Sequence, residues 1–306
     1  MLAALRLARS TTPILAKRRL TTAPRVPLVL TSLCESSGVV TLRFNQEKKL
    51  NAWTMPLMKE MFAALQDAAT SDAVKGAVVT GSGNYYSAGV DLSSMIQPMA
   101  PGALVTQIRD QNQMVFETFI NFPKPIIAAV NGPAIGAAVT TATLTDAIVA
   151  SESATFNLPF AKLGVPPEGC SSVTFAEMMG EANARRMLSS ENWMPSAAEA
   201  LEAGLIAEVV PGDASALLER AQALCAERVA AGGGRRFDAA EALRLKQINA
   251  RESAELANAF VSAPFLGAMH SFNVRRKKTQ LAYFFYAAKA TLPLWQPSPI
   301  APKMVT

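Results

Sequence analysis

Hydrophobic and polar positions change period repeatedly along the first two thirds of the chain. Leu28 to Cys34 and Val39 to Phe44 are β-rich runs separated by Glu35-Ser36-Ser37-Gly38, a pattern that predicts a hairpin. The period then lengthens. Leu57, Met58, Met61, Phe62 and Leu65 make one apolar stripe, with Thr54 as N-cap and Pro56 in the first turn, so a helix is predicted to about Ala69. Gly76 to Thr80 reads as a buried strand ending in a glycine turn, and Leu104 to Ile120 as a helix. Pro125 to Val130 is a second buried strand, running into Asn131-Gly132 and a small-residue helix from about Gly136 to Leu144. A strand at Ala147 to Ala150 precedes a loop around Asn157 to Gly169. From Cys170 onward helix dominates, broken by a short strand at Leu205 to Val210 that follows Gly204 as a helix C-cap.

Strand, tight turn and helix thus alternate before a helical remainder, which predicts an α/β architecture with helices covering sheet faces. With 306 residues, half of them hydrophobic, the chain can bury a sizeable core. The expected organisation is a basic arm over 1–26, a core over 27–211, a C-terminal helical subdomain over 212–280 and an aromatic, proline-containing extension over 281–306. Gly232-Gly233-Gly234 reads as a hinge between the core and the helical subdomain.

Charge sharpens this picture. The net charge is +5, yet Arg6, Arg9, Lys17, Arg18, Arg19 and Arg25 all fall in the acid-free first 26 residues. Taking those six away leaves the body close to neutral, so a nucleic-acid partner is not expected. The arm is Arg-rich, Ser/Thr-rich and amphipathic, the composition of a mitochondrial transit peptide, and its apolar stretches are too short and too charged for a membrane span. Arg18-Arg19-Leu20 before Thr21 resembles a processing site; a disordered basic arm is the alternative. The location expected from this is the mitochondrial matrix. Lys303-Met304-Val305-Thr306 is not the peroxisomal tripeptide, in keeping with that expectation.

Three cysteines, Cys34, Cys170 and Cys225, are too few and scattered for a disulfide framework or zinc cage. A single histidine, His270, makes a histidine-rich metal site improbable, and no metal is expected. Dinucleotide and P-loop fingerprints are absent, as is a nucleophile elbow. What remains is a pair of similar strand-to-turn junctions, Ser87-Ala88-Gly89-Val90-Asp91-Leu92 and Asn131-Gly132-Pro133-Ala134-Ile135-Gly136-Ala137-Ala138. Each puts unhindered backbone where a strand ends, and two N–H groups converging on one oxygen form an oxyanion hole. Singly, each reads as an ordinary tight turn. A third segment, Leu163-Gly164-Val165-Pro166-Pro167-Glu168-Gly169-Cys170-Ser171-Ser172, holds a carboxylate between a rigid Pro-Pro and a glycine. That carboxylate reads either as a fixed base or as a solvated residue at a helix N-terminus.

Together these segments, with Lys48-Lys49-Leu50-Asn51-Ala52 and Asp146-Ala147-Ile148-Val149-Ala150, resemble the crotonase, or enoyl-CoA hydratase/isomerase, family over roughly Leu28 to Val210. The resemblance implies a crotonase-like spiral of ββα units followed by a C-terminal helical subdomain. Family hydratases use two glutamates, at positions that look like Thr140 and Phe160 here. Pro167-Glu168-Gly169 is instead similar to the peroxisomal-type Δ3,Δ2-enoyl-CoA isomerases, in which one glutamate shuttles a proton. The resemblance therefore implies Glu168 as catalytic base in an apolar surround that raises its pKa, and the backbone N–H groups of Val90 and Ala137 as the oxyanion hole. Lys48 and Lys49 would approach CoA phosphates or form a solvated pair, while Ala88, Gly89 and Gly136 leave room for substrate.

The implied activity moves a double bond from C3 to C2 of an acyl-CoA thioester in oxidation of unsaturated fatty acids. No separate cofactor is expected, since CoA belongs to the substrate, and the family assembly is a homotrimer. Ala257 to Met269 lacks the Trp and acidic cluster of this subgroup. Leu281-Ala282-Tyr283-Phe284-Phe285-Tyr286 and Leu292-Pro293-Leu294-Trp295 lie beyond the point where relatives tend to stop. They read as a docking segment for a mitochondrial complex or membrane surface, or as an extra helix on the chain's own core. The alternative function is accordingly a crotonase-fold accessory subunit of a large mitochondrial complex.

Overall fold

The structure, a computed structural model, describes residues 26–92 and 99–304. The transit-peptide and processing-site readings lie outside the described residues.

The expected hairpin is present as β1 (Val29–Cys34) and β2 (Val39–Phe44), paired antiparallel with Val29 opposite Phe44. Helix α1 (Met55–Thr70) follows, and the Thr54 hydroxyl accepts the Leu57 N–H as the predicted N-cap. Strands β3 (Gly76–Gly81) and β4 (Ile126–Val130) flank α2 (Pro101–Ile120). Then come β5 (Ala134–Ile135), α3 (Ala137–Ala142), β6 (Ala147–Ser151), β7 (Phe156–Asn157) and α4 (Phe160–Leu163). The segment expected to be loop therefore contains a short strand and a helical turn. Helix α5 (Ser171–Leu188), α6 (Ala197–Ala203), β8 (Glu208–Val210), α7 (Ala214–Ala230), α8 (Ala239–Phe260), α9 (Ala263–Arg275), α10 (Thr279–Ala290) and α11 (Leu292–Trp295) complete the chain.

The main sheet runs in the order β1-β2-β3-β4-β6-β8, parallel apart from the first pair, while β5 and β7 form a separate parallel pair. Its central strands are buried on both faces, as parallel strands under helical cover must be. One face presents Leu42, Phe44, Val79, Ala128 and Val130 to the main core; the other presents Val39, Val78, Ile127 and Val149 to Leu217, Ala221 and Cys225 of α7. The helix that opens the 212–280 segment thus lies on the sheet itself.

The triglycine is less free than a hinge. Gly232 turns at φ +67°, Gly233 N–H returns to the Arg228 carbonyl at 2.9 Å, and Arg235 immediately anchors the chain. Its guanidinium pairs with Asp146 at 3.0 Å and donates to the carbonyls of Phe119, Phe122 and Leu144.

The C-terminal extension packs on its own chain through one face. Phe285 and Leu292 are buried with Phe265, Leu266 and Met269 of α9, and the His270 ring nitrogen meets the Ala282 carbonyl at 2.9 Å. Beyond α11, Asn258 and Ile300 exchange a reciprocal pair of hydrogen bonds, and Gln113 donates to the Lys303 carbonyl. Tyr283, Tyr286 and Leu294 remain exposed.

Candidate active site

Two buried asparagines hold the glycine turns in place. Asn51 donates to the carbonyls of Ser82 and Tyr85 and accepts the Gln46 N–H; Asn131 accepts the Gly81 N–H and donates to the Gly83 carbonyl. The Ser87 hydroxyl donates to the Asn51 carbonyl and accepts the Gly89 N–H at 3.0 Å. Backbone bonds then join the turns side by side, with Ile135 N–H on the Ser87 carbonyl at 3.0 Å and Gly136 N–H on the Asn157 carbonyl at 2.8 Å.

This packing requires glycine. Gly89 sits at φ +75°, and a Cβ there would lie 2.3 Å from the Ile135 carbonyl oxygen. Gly136 caps α3 at φ 58°, ψ −127°, and a Cβ on it would meet open space. The turns end in the N–H groups of Val90 and Ala137, neither of which has an acceptor among the described residues. Ala137 is the first residue of α3, where a helix leaves its N–H groups unpaired.

Val90 and Ala137 line the same cavity of about 910 Å³ as Glu168. Lys49, Ala88, Gly89 and Gly136 also line it; Lys48 is exposed outside it. Of the two lysines expected at the substrate, the structure therefore brings one to the cavity. Arg275, Arg276 and Lys278 reach the cavity from the C-terminal helices, together with Phe272, Phe284 and Phe285.

Glu168 is not a solvated helix-end carboxylate. It is 7% exposed, and burial pushes its pKa up to about 7 against the opposing effect of a hydrogen bond from Asn112, with the nearby Glu252 charge adding to the rise. Asn112 of α2 donates Nδ2 to Glu168 Oε2 at 2.5 Å, and its own Oδ1 accepts the Ser253 hydroxyl of α8 at 2.8 Å. That acceptor role orients the amide, leaving its NH₂ for the carboxylate. The Glu168 carbonyl in turn accepts the Ser171 N–H and hydroxyl, fixing the backbone at the start of α5.

Asn112, Ser253 and Glu252 were not singled out by sequence reasoning. Asn112 is a polar position in an amphipathic helix, and the others sit in a helix read for its end rather than its face. The signal available was spacing, since Asn249, Glu252 and Ser253 share one side of α8 with the apolar Leu245 and Leu256. At the positions resembling the hydratase glutamates, Thr140 is fully buried with its hydroxyl on the Ala137 carbonyl, and Phe160 lines the cavity.

Chemically, the arrangement can remove a proton with a poised carboxylate and hold the resulting oxyanion on two main-chain amides. Comparison with known proteins bears on the family of the chain. The family described as enoyl-CoA hydratase/isomerase matches residues 34–260. Enoyl-CoA delta isomerase 2 of Rattus norvegicus is 43% identical over 181 residues, covering 57% of this chain and 44% of the relative. Enoyl-CoA delta isomerase 3, peroxisomal, of Mus musculus is 39% identical over 177 residues, covering 57% and 55%. The chain spans about half the length of these curated relatives. An enoyl-CoA hydratase/isomerase structure from Pseudoalteromonas atlantica T6c superposes with a TM-score of 0.66 at 24% identity, covering 81% of this chain and 97% of that one, and bears on the fold alone.

Proposed function

The chain belongs to the enoyl-CoA hydratase/isomerase family, and from that premise we propose that it is a Δ3,Δ2-enoyl-CoA isomerase working through Glu168. The observation that carries the proposal is the buried Glu168 carboxylate sharing one cavity with the N–H groups of Val90 and Ala137, which have no acceptor among the described residues.

The substrate is a 3-enoyl-CoA thioester. With the thioester carbonyl on the two N–H groups, deprotonation at C2 sends the electron pair into a dienolate whose negative oxygen those amides stabilise. Glu168 carries the proton and delivers it to C4; the double bond moves into conjugation with the thioester and the carboxylate is regenerated. One base suffices. A hydratase would need a second group to orient water, and Thr140 and Phe160 stand where the resemblance puts the hydratase pair. Lys49, Arg275, Arg276 and Lys278 are the cations at the cavity that would meet the CoA phosphates. CoA enters as part of the substrate, and the reaction draws on no separate cofactor. The relatives named as isomerases, one of them peroxisomal, support a place in organellar fatty-acid metabolism; the mitochondrial matrix and a homotrimer are our proposals within it. The accessory-subunit reading is not favoured, because the relatives at about 40% identity are named as isomerases and the extension that suggested it buries Phe285 and Leu292 against its own chain.

The test is direct. Purified full-length protein given a 3-enoyl-CoA is expected to produce the conjugated 2-enoyl-CoA, followed by its ultraviolet absorbance; absence of turnover would overturn the proposal. In the same assay, Gly89→Ala is expected to lower kcat at least 10²-fold, the effect of losing one oxyanion donor, because the added methyl forces the turn off the Ile135 carbonyl. A variant retaining more than a tenth of wild-type kcat would show that the Val90 N–H is not part of the hole.

A further inference from the structure

Two consecutive residues after Glu168 adopt left-handed backbone. Gly169 does so at φ +65°, where a Cβ would strike the Phe116 ring at 2.5 Å. Cys170 does so at φ +66° without glycine's freedom, a conformation that costs a side-chain-bearing residue about 1 kcal/mol or more. Such strain persists only where the surroundings over-determine it.

Here the surroundings are one turn of α8. Glu252 is 1% exposed, and its carboxylate spans the strained turn, accepting the Cys170 N–H at 2.6 Å on one oxygen and the Ser172 N–H at 3.0 Å on the other. Cys170 is further tied by its thiol, which donates to the Leu245 carbonyl at 3.2 Å. The next residue on the helix, Ser253, is fully buried and donates to Asn112, the partner of Glu168 Oε2, while Asn249 donates to the Gln113 carbonyl. Neither Glu252 nor Ser253 lines the cavity. The same helical turn therefore grips the backbone that carries Glu168 and the side chain that orients it.

We propose that Glu252, assisted by Ser253, is a positioning residue for the reaction: it clamps the left-handed Gly169-Cys170 turn so that Glu168 faces the oxyanion amides. This rests on the isomerase reading above. Burying a carboxylate merely to cap a helix is expensive, and neutral side chains cap helices well. A carboxylate at this place does two things that a neutral cap does not. Its two oxygens bind two amides at once, and above its own pKa, which burial raises to about 7, its charge acts on Glu168 through the interior. The charged groups facing Glu252 are Glu168 across the turn and Arg251 on its own helix; the Cys170 thiol beside it is pushed up by burial and stays protonated.

The test is steady-state kinetics of the full chain with a 3-enoyl-CoA across pH. Glu252→Gln keeps shape but presents an NH₂ to one of the two amides, so kcat is expected to fall about 10-fold with KM within twofold. Removing the like charge also lowers the Glu168 pKa, so the acid limb of the kcat profile is expected to move to lower pH, which a purely structural change would not do. Ser253→Ala is expected to lower kcat about threefold, with KM unchanged. Because Glu252 acts through Glu168, the Glu168→Gln/Glu252→Gln double variant is expected to match Glu168→Gln alone. Wild-type kcat and pH profile in Glu252→Gln, or a further 10-fold loss in the double variant, would overturn the proposal. Should Glu252→Gln fail to fold, Ser253→Ala decides: wild-type kcat would overturn it. Equal rates for Glu168→Gln and wild type would instead defeat the base assignment itself.

Discussion

Glu168→Gln is expected to lower kcat for 3-enoyl-CoA isomerisation about 10³-fold while leaving KM within about threefold, since general-base catalysis contributes 10²–10⁴. The amide keeps the length and shape of the side chain, and its oxygen can still accept the Asn112 hydrogen bond. Only the ability to take a proton is lost. The same substitution is expected to stabilise the fold above neutral pH. Burial raises the Glu168 pKa from 4.5 to about 7, so between those values the native state holds a proton that the unfolded chain releases. Wild-type stability from this residue is thus intact below pH 4.5 and declines as pH rises to about 7, by roughly 3 kcal/mol in all. Thermal unfolding should therefore favour the variant at pH 8 and show near equality at pH 4.5. An unchanged kcat, or a variant less stable than wild type at pH 8, would contradict the assignment of Glu168 as a buried, ionisable base.

Arg235→Met is expected to be the most damaging change to stability among those the structure suggests outside the cavity. The Arg235 side chain is 6% exposed and that of Asp146 fully buried. Asp146 also accepts the Ile126 N–H at 2.7 Å and the Arg236 N–H at 2.7 Å, so it ties strand β4 to the chain after the triglycine. Methionine fills much of the same volume but leaves a buried carboxylate without its ion-pair partner, though with the Arg236 charge still nearby, and three carbonyls without their donor. Breaking such a pair from one side typically costs 3–5 kcal/mol, which corresponds to a fall on the order of 10 °C in Tm. Differential scanning calorimetry reads this directly, and a shift under about 2 °C would mean that the pair adds little.

The alternation of β-rich runs, glycine turns and apolar helices was legible in the sequence because each follows from local periodicity. Val39 to Phe44 and Gly76 to Gly81 are strands on any reading, and Thr54 before Pro56 marks a helix start. Glu168 was legible for a different reason, its place between a proline and a glycine within a recognisable arrangement of motifs. The side chains that hold Glu168 were not. Asn112 lies 56 residues away and Ser253 lies 141 residues from Asn112, and their meeting depends on how α2 and α8 pack. Nor did composition reveal the fate of the extension: Phe285 is buried and Tyr283, two residues earlier, is 71% exposed, a difference made by helix phase against α9. Arg235 likewise carries no sign in the sequence that it will convert a run of glycines into an anchored corner.

The grip of α8 on the Gly169-Cys170 turn also bears on the order of events at the ribosome. Translation proceeds from the amino end, so the sheet strands through β8, and Glu168 with them, emerge before residues 249–253 have been made. A nascent chain at that stage has its scaffold but no support for the Glu168 carboxylate, and the strained turn lacks the Glu252 contacts that hold it. The geometry around Glu168 is then completed late in synthesis, once α8 has been made.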